Sequence, residues 1–202
     1  SVANDLGPNN TTELREATDE TRTSAERIKK LCADNTWFTS SCLKYASQSY
    51  FTSGAVDLCA KDTSHLRDCL DTVANKGLPQ EVIKYCSQNF TGIHSHVYDC
   101  LKYFSSSASY FQKEGLELCA DLQLVSGNYS KTKTCLNAIR DREFKREDLQ
   151  HCKELIGKNS MENPLDCVEK LSHRAPIKKE AVCGGKVAPR SSTTGAPSES
   201  RQ

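Results

Sequence analysis

Leu118-Cys119-Ala120-Asp121, followed after a turn-rich interval by Cys135-Leu136-Asn137-Ala138-Ile139, is a two-part pattern that recurs along the whole chain. Its first half returns as Leu31-Cys32-Ala33-Asp34, Leu58-Cys59-Ala60, Val82 to Cys86 and Leu149 to Cys152. Its second half returns as Cys42-Leu43, Cys69-Leu70-Asp71-Thr72-Val73, Cys100-Leu101-Lys102-Tyr103-Phe104 and Cys167-Val168-Glu169-Lys170-Leu171. First-half cysteines are spaced by 27, 27, 33 and 33 residues, the period range of stacked helix–turn–helix units. Apolar residues stand at three- and four-residue steps around each cysteine, as in Leu66-Cys69-Leu70-Val73 and Val97-Cys100-Leu101-Phe104. The cysteines therefore lie on the apolar stripe of a helix and face another helix.

The sequence holds 11 cysteines in 202 residues, and no Cys-x-x-Cys occurs among them. Zinc sites and thioredoxin-type chemistry need closer pairs, because a short turn must bring two thiolates together. Disulfides are the reading that remains, and they require an oxidising compartment: secreted, periplasmic or luminal. Two registers compete. In the favoured one each bridge closes its own unit: Cys32–Cys42, Cys59–Cys69, Cys86–Cys100, Cys119–Cys135 and Cys152–Cys167. Cys183 is then the free thiol, expected to link some chains into a disulfide-bonded dimer. The rival register runs Cys42–Cys59, Cys69–Cys86, Cys100–Cys119, Cys135–Cys152 and Cys167–Cys183, and leaves Cys32 spare.

Lys and Arg number 27 against 26 Asp and Glu. That balance gives no basic footprint for nucleic acid and no polybasic membrane patch. No apolar run approaches the length of a membrane span, and the chain reads as a mature one from which a signal peptide has already been removed. The 37% apolar content suits a thin, covalently stapled core better than one large globular core. Asn9, Asn10, Asn89 and Asn128 stand in Asn-x-Ser/Thr contexts, a weak signal for N-glycosylation.

The expected organisation is a disordered lead-in over 1–11, one helical-repeat domain of about five cysteine-containing units over 12–183, and a disordered tail over 184–202. Thr11 or Thr12 is expected to cap a long first helix, whose stripe runs Leu14, Ala17, Thr21, Ser24, Ile28 and Leu31. Ser64, Ser95 and Ser130 are expected N-caps, joined by Asn163 ahead of Pro164. Ser53-Gly54, Lys76-Gly77-Leu78-Pro79, Thr91-Gly92, Ser126-Gly127-Asn128, Gly157-Lys158-Asn159-Ser160 and Ala175-Pro176 read as breakers. A short helix is expected after Pro176, and no strand. A larger echo overlies the units. Cys42-Leu43-Lys44-Tyr45, Ser49-Tyr50-Phe51 and Leu58-Cys59-Ala60 return as Cys100-Leu101-Lys102-Tyr103, Ser109-Tyr110-Phe111 and Leu118-Cys119-Ala120.

Cys32-x9-Cys42 with Cys59-x9-Cys69 resembles the twin hairpin of mitochondrial intermembrane-space proteins. The likeness covers residues 32–69 only, and the wider, glycine-containing intervals that follow do not fit that family, so no family is assigned.

Residues that could carry chemistry are few. His94, His96, His65 and His151 do not recur from unit to unit and read as surface or capping residues. No nucleophile elbow, phosphate loop or dinucleotide fingerprint occurs, so neither catalysis nor a cofactor is expected. The aromatics Trp37, Phe38, Tyr50, Phe51, Phe90, Tyr110, Phe111, Tyr129 and Phe144 gather at the expected turns. They serve either as partner contacts or as plugs packed over helix ends. Arg140-Asp141-Arg142-Glu143 and the charges after it read as a solvated surface. The fold class expected is all-α, a short solenoid or superhelix of disulfide-stapled helical hairpins. Its expected role is non-catalytic binding of a protein, peptide or glycan. A carrier holding an apolar molecule or lipid between helices is the alternative.

Overall fold

The computed structural model describes residues 8–35, 38–106, 109–179, 182–183 and 186–187, with side chains over 19–35, 38–106 and 109–179. Its described elements are ten α-helices, one 3-10 turn and one pair of two-residue strands. In chain order the helices are α1 (Pro8–Asn35), α2 (Thr39–Gln48), α3 (Ser53–Lys61), α4 (Leu66–Val73) and α5 (Gln80–Asn89). They continue as α6 (His94–Ser105), α7 (Lys113–Ser126), α8 (Tyr129–Ile139), α9 (Arg146–Glu154) and α10 (Pro164–Arg174). The 3-10 turn Thr63–His65 leads into α4, and β1 (Val182–Cys183) pairs antiparallel with β2 (Lys186–Val187).

Each odd-numbered helix packs against the even-numbered helix after it, and the odd helices also pack in sequence, α1 on α3, α3 on α5, α5 on α7 and α7 on α9. Among the even helices, α4 touches α6 and α8 touches α10. The apolar stripes dictate this. Ile28 and Cys32 of α1, Val56 and Cys59 of α3, Leu118 and Cys119 of α7 and Leu149 and Cys152 of α9 are all at or below 1% exposure. One core cluster spans Ile28 to Leu101 and a second spans Leu118 to Val168. Phe104 lies against both. No described helix is long and apolar enough to cross a membrane.

Five disulfides close these pairs: Cys32–Cys42, Cys59–Cys69, Cys86–Cys100, Cys119–Cys135 and Cys152–Cys167. Every bridge spans 10 to 16 residues of chain with Cα atoms 5.5–5.7 Å apart. That distance is where a bridge forms without moving the backbone. Loops this short gain about 2–3 kcal/mol each from closure. Five intramolecular bridges fit an oxidising, extracellular-type environment.

Helix ends differ in detail from the expectation. α1 begins at Pro8, so Thr11 and Thr12 lie inside it and residues 8–11 belong to the helix rather than to a lead-in. The caps of α6 and α8 are Ile93 and Asn128, two residues ahead of Ser95 and Ser130. Asn128 prevails because its Oδ1 accepts from the Lys131 amide at 3.3 Å. Ser64 is taken up in the 3-10 turn. Asn163 caps α10 with Pro164 at its first position. Ser53-Gly54 is no breaker: it opens α3, whose cap is Thr52, and Glu20 of α1 accepts from the Ser53 amide at 2.9 Å. Gly92 and Gly127 do break the chain, with φ of +100° and +61°. Among the described residues no helix follows Pro176. Ile177 instead bridges to Arg142, and Cys183 lies in β1. The Arg142 guanidinium and the Lys178 amide hold that segment extended, by bonds to the Ala175 and Asp141 carbonyls at 2.9 and 2.7 Å. Residues 1–7 and 188–202, and with them most of the expected lead-in and tail, lie outside the described residues.

Candidate functional site

The aromatic positions separate on burial. Phe51 and Phe90 are 2% and 0% exposed, so they close units from within and cannot be partner contacts. Phe144 is buried as well. Phe38 is half-buried beneath the Arg67 guanidinium, 5.7 Å from its ring. Phe111 stacks edge-on to Phe104 at 5.1 Å, and Tyr129 to Phe90 at 5.9 Å. The Tyr129 hydroxyl also donates to the Asp99 carbonyl. Tyr110 lies 5.2 Å from the Lys178 ammonium. Tyr50, at 42%, is the one exposed member of the described set. Trp37 lies outside the described residues, as does the side chain of Cys183.

The charged run after α8 is not a plain solvated face. Arg140 donates to Ser109 Oγ at 2.8 Å, Asp141 accepts from the Tyr110 amide at 2.9 Å, and Glu143 pairs with Lys178 at 3.0 Å. Of the expected glycosylation positions, Asn128 is exposed, while half-buried Asn89 donates to the Tyr85 carbonyl.

Two of the histidines, His65 and His94, share a polar cluster, while His96 stacks on Tyr129 at 5.8 Å. Asp62 closes the end of α3; its Oδ1 contacts His65 Nδ1 at 2.8 Å and its Oδ2 accepts from the Tyr98 hydroxyl. The His65 and His94 rings stack with centroids 3.5 Å apart. Burial works to raise the Asp62 pKa, but the Tyr98, His65 and Ser64 hydrogen bonds and the charge of His65 outweigh it and hold the group low. Burial first, then Asp62, pushes the Tyr98 hydroxyl up. Tyr98 thus stays protonated and donates to Asp62, and the cluster ties the end of α3 to α6. One trio of described residues has metal-ligand spacing, His151, Glu162 and Cys167. Its sulfur already belongs to the Cys152 bridge, which leaves only an exposed His–Glu pair.

The feature with room for a partner lies between α7 and α9. Glu114, Glu117, Asp121, Leu124 and Val125 fall at helical spacing along one face of α7 and line two adjoining hollows of about 360 and 370 Å³. The α9 side supplies Arg146, Glu147, Leu149, Gln150, Lys153 and Glu154, and Ile156 follows the helix. Gln150 and Lys153 line both hollows, so they form one groove. Buried Leu149 is its floor. Arg146 pairs with Glu114 at 2.8 Å, and Lys153 reaches Asp121 at 3.5 Å and Glu117 at 4.0 Å. At the far end Leu124 and Val125 are 60% and 63% exposed.

Helix length explains that exposure. α7 continues seven residues past Cys119, to Ser126, whereas α9 stops two residues past Cys152, at Glu154. The last turn of α7 therefore overhangs its neighbour and leaves an apolar pair uncovered. Sequence reading did not single these residues out. The available signal was Leu118, Leu122 and Val125, a core stripe that outruns its partner helix.

No protein-family model, curated protein or solved structure matches this chain.

Proposed function

We propose that the chain is a non-catalytic recognition protein of a secreted or periplasmic setting, built as a short solenoid of five disulfide-closed helical hairpins. Its groove between α7 and α9 is the site that takes a segment of another protein. The stacked-unit reading is supported by bonds that join residues about one unit apart in sequence. Examples are Arg27 to Asp57, Tyr98 to Asp62, Tyr85 to the Leu116 carbonyl and Gln112 to the Phe144 carbonyl. Stacks of this kind contact partners along one extended face.

The observation that carries the site is the uncovered Leu124–Val125 pair at the mouth of an open groove. An exposed apolar pair flanked by ion pairs has the make-up of an interface, apolar at its centre and polar at its rim. Both hollows open at the surface, which favours recognition over the carriage of an enclosed apolar molecule.

The test is capture from the protein's own extracellular milieu, comparing the intact oxidised chain with Leu124→Ser/Val125→Ser. Both side chains are exposed, so the variant keeps its fold. A specific partner should be retained by the parent and reduced about ten-fold or more by the variant, a loss of roughly 1.4 kcal/mol. A partner held equally by both would refute the groove.

A further inference from the structure

We infer that the occupant of the α7–α9 groove is a basic amphipathic peptide segment, one that sets an aliphatic or aromatic side chain on Leu124, Val125 and Ile156 and lays Lys or Arg along the acidic wall. This rests on the groove reading above and adds the chemistry of the partner.

Charge is the first argument. The two hollows are lined by five carboxylates, Glu114, Glu117, Asp121, Glu147 and Glu154, against two cations, Arg146 and Lys153. The chain as a whole carries a formal charge of +1, so this concentration of negative charge is local to the groove. Both cations are already engaged, Arg146 by Glu114 and Lys153 by Asp121 and Glu117. Glu147 and Glu154 have no ion pair among the described residues, and Glu154 only accepts from Gln150.

Arrangement is the second. Glu114, Glu117 and Asp121 follow one another at three- and four-residue steps on one face of α7. Same-sign neighbours at that spacing destabilise a helix. Arg146 and Lys153 offset this in part from α9, and a cationic side chain beside Glu147 and Glu154, unpaired among the described residues, gains field from both walls.

Continuity is the third. The acidic wall and the apolar pair lie on the same α7 face in sequence order, acidic for two turns and apolar for the last. A segment seated along α7 meets charge first and grease second. A ligand matching only one part leaves the other half of the groove unused.

The experiment titrates short synthetic helical peptides onto the intact oxidised protein and follows fluorescence anisotropy. One peptide carries Leu and Lys on a single face, a second replaces Lys by Glu, and a third replaces Leu by Ser. The Leu/Lys peptide is expected to bind at least about ten-fold more tightly than either control, and to weaken as salt rises. Leu124→Ser/Val125→Ser should weaken it by a similar factor. Glu117→Lys/Glu154→Lys should shift preference to the Glu peptide.

Equal binding of the Lys and Glu peptides, or binding unchanged by both variants, overturns the inference. If no peptide binds but a natural partner is still lost on Leu124→Ser/Val125→Ser, the partner chemistry is wrong and the groove stands. If that capture ignores the groove variant, the functional reading falls and this one with it.

Discussion

The Tyr50 amide donates to Asn75 Oδ1 at 2.9 Å while the Asn75 amide donates to the Tyr50 carbonyl at 2.8 Å, and the same two bonds, at the same two distances, join Tyr110 to Asp141. Asn75 and Asp141 have φ of 58° and 54°, the only described non-glycine residues with positive φ. Each follows the second helix of a unit and reaches back to the tyrosine that precedes that unit's first helix. Asn and Asp tolerate this backbone because a short polar side chain can bond locally.

Asn75→Ala should therefore destabilise by about 1–2 kcal/mol, since the acceptor is lost and the left-handed backbone remains. Asn75→Gly should cost less, because glycine adopts that φ freely. Asp141→Asn keeps an oxygen in place and should stay within about 0.5 kcal/mol of the parent. Urea unfolding of the oxidised protein measures all three. An alanine variant as stable as the parent would remove the clamp from the account.

Much of this architecture is legible in the residues. The cysteines sit on apolar stripes, and stripes with a cysteine at a fixed place face one another. Tyr45 and Phe51 meet at 6.5 Å, and the residues at the echoed positions, Tyr103 and Phe111, at 6.2 Å. What the chain conceals depends on partners a unit away. Nothing local marks Asn75 or Asp141 as left-handed, because the group that rewards the conformation is a tyrosine backbone about 25 or 31 residues earlier. Ser130 looks like a cap, yet Asn128 sits two residues ahead and reaches the free amide. The groove is hidden for a related reason: Leu124 and Val125 are ordinary stripe and flank residues until α9 ends early beside them.

The bridge register makes a counting prediction. Ten of the 11 cysteines are paired within their own helical pairs. Denatured, unreduced protein should therefore titrate with about one thiol per chain, abolished by Cys183→Ser. Unreduced peptide mapping should yield the Cys86–Cys100 linkage. A Cys69–Cys86 peptide would mean that the bridges join neighbouring units instead.

Two glycines should respond oppositely to alanine. At Gly115 an added Cβ would lie 3.0 Å from Ile139 Cδ1 and 3.3 Å from its Cγ2, and Ile139 is fully buried. Overpacking of this contact between α7 and α8 should cost about 1–3 kcal/mol. At Gly54 the first atoms met belong to the exposed end of Gln80, which can swing away, and the next, Ile83 Cδ1 at 3.3 Å, is the tip of a side chain and has to give only slightly. Gly54→Ala should then fall between neutral and about 1 kcal/mol stabilising, from helix propensity. Thermal unfolding ranks the pair, and a larger loss at Gly54 than at Gly115 would contradict the packing described.

Stability should fail at both ends of the pH range, and Tyr98 should couple the two. Burial raises the pKa of Tyr85, Tyr98, Tyr103 and Tyr129, the last to about 12. A raised folded pKa gives stability that is fully present below the ordinary tyrosine value of 10.0 and is lost as pH climbs through the folded values. The four hydroxyls should ionise late, together with loss of helix, when absorbance near 295 nm and circular dichroism are followed in parallel. Asp62 has the opposite sign. Its folded pKa lies below 3.8, so its contribution is present above that value and disappears as pH falls through the folded one. Tyr98→Phe removes one titrating hydroxyl and one of the bonds that keep Asp62 low. The variant should show a shallower alkaline decline and an acid transition moved to higher pH. Unchanged acid and alkaline midpoints would separate Tyr98 from Asp62 and break the link between α3 and α6 on which the cluster depends.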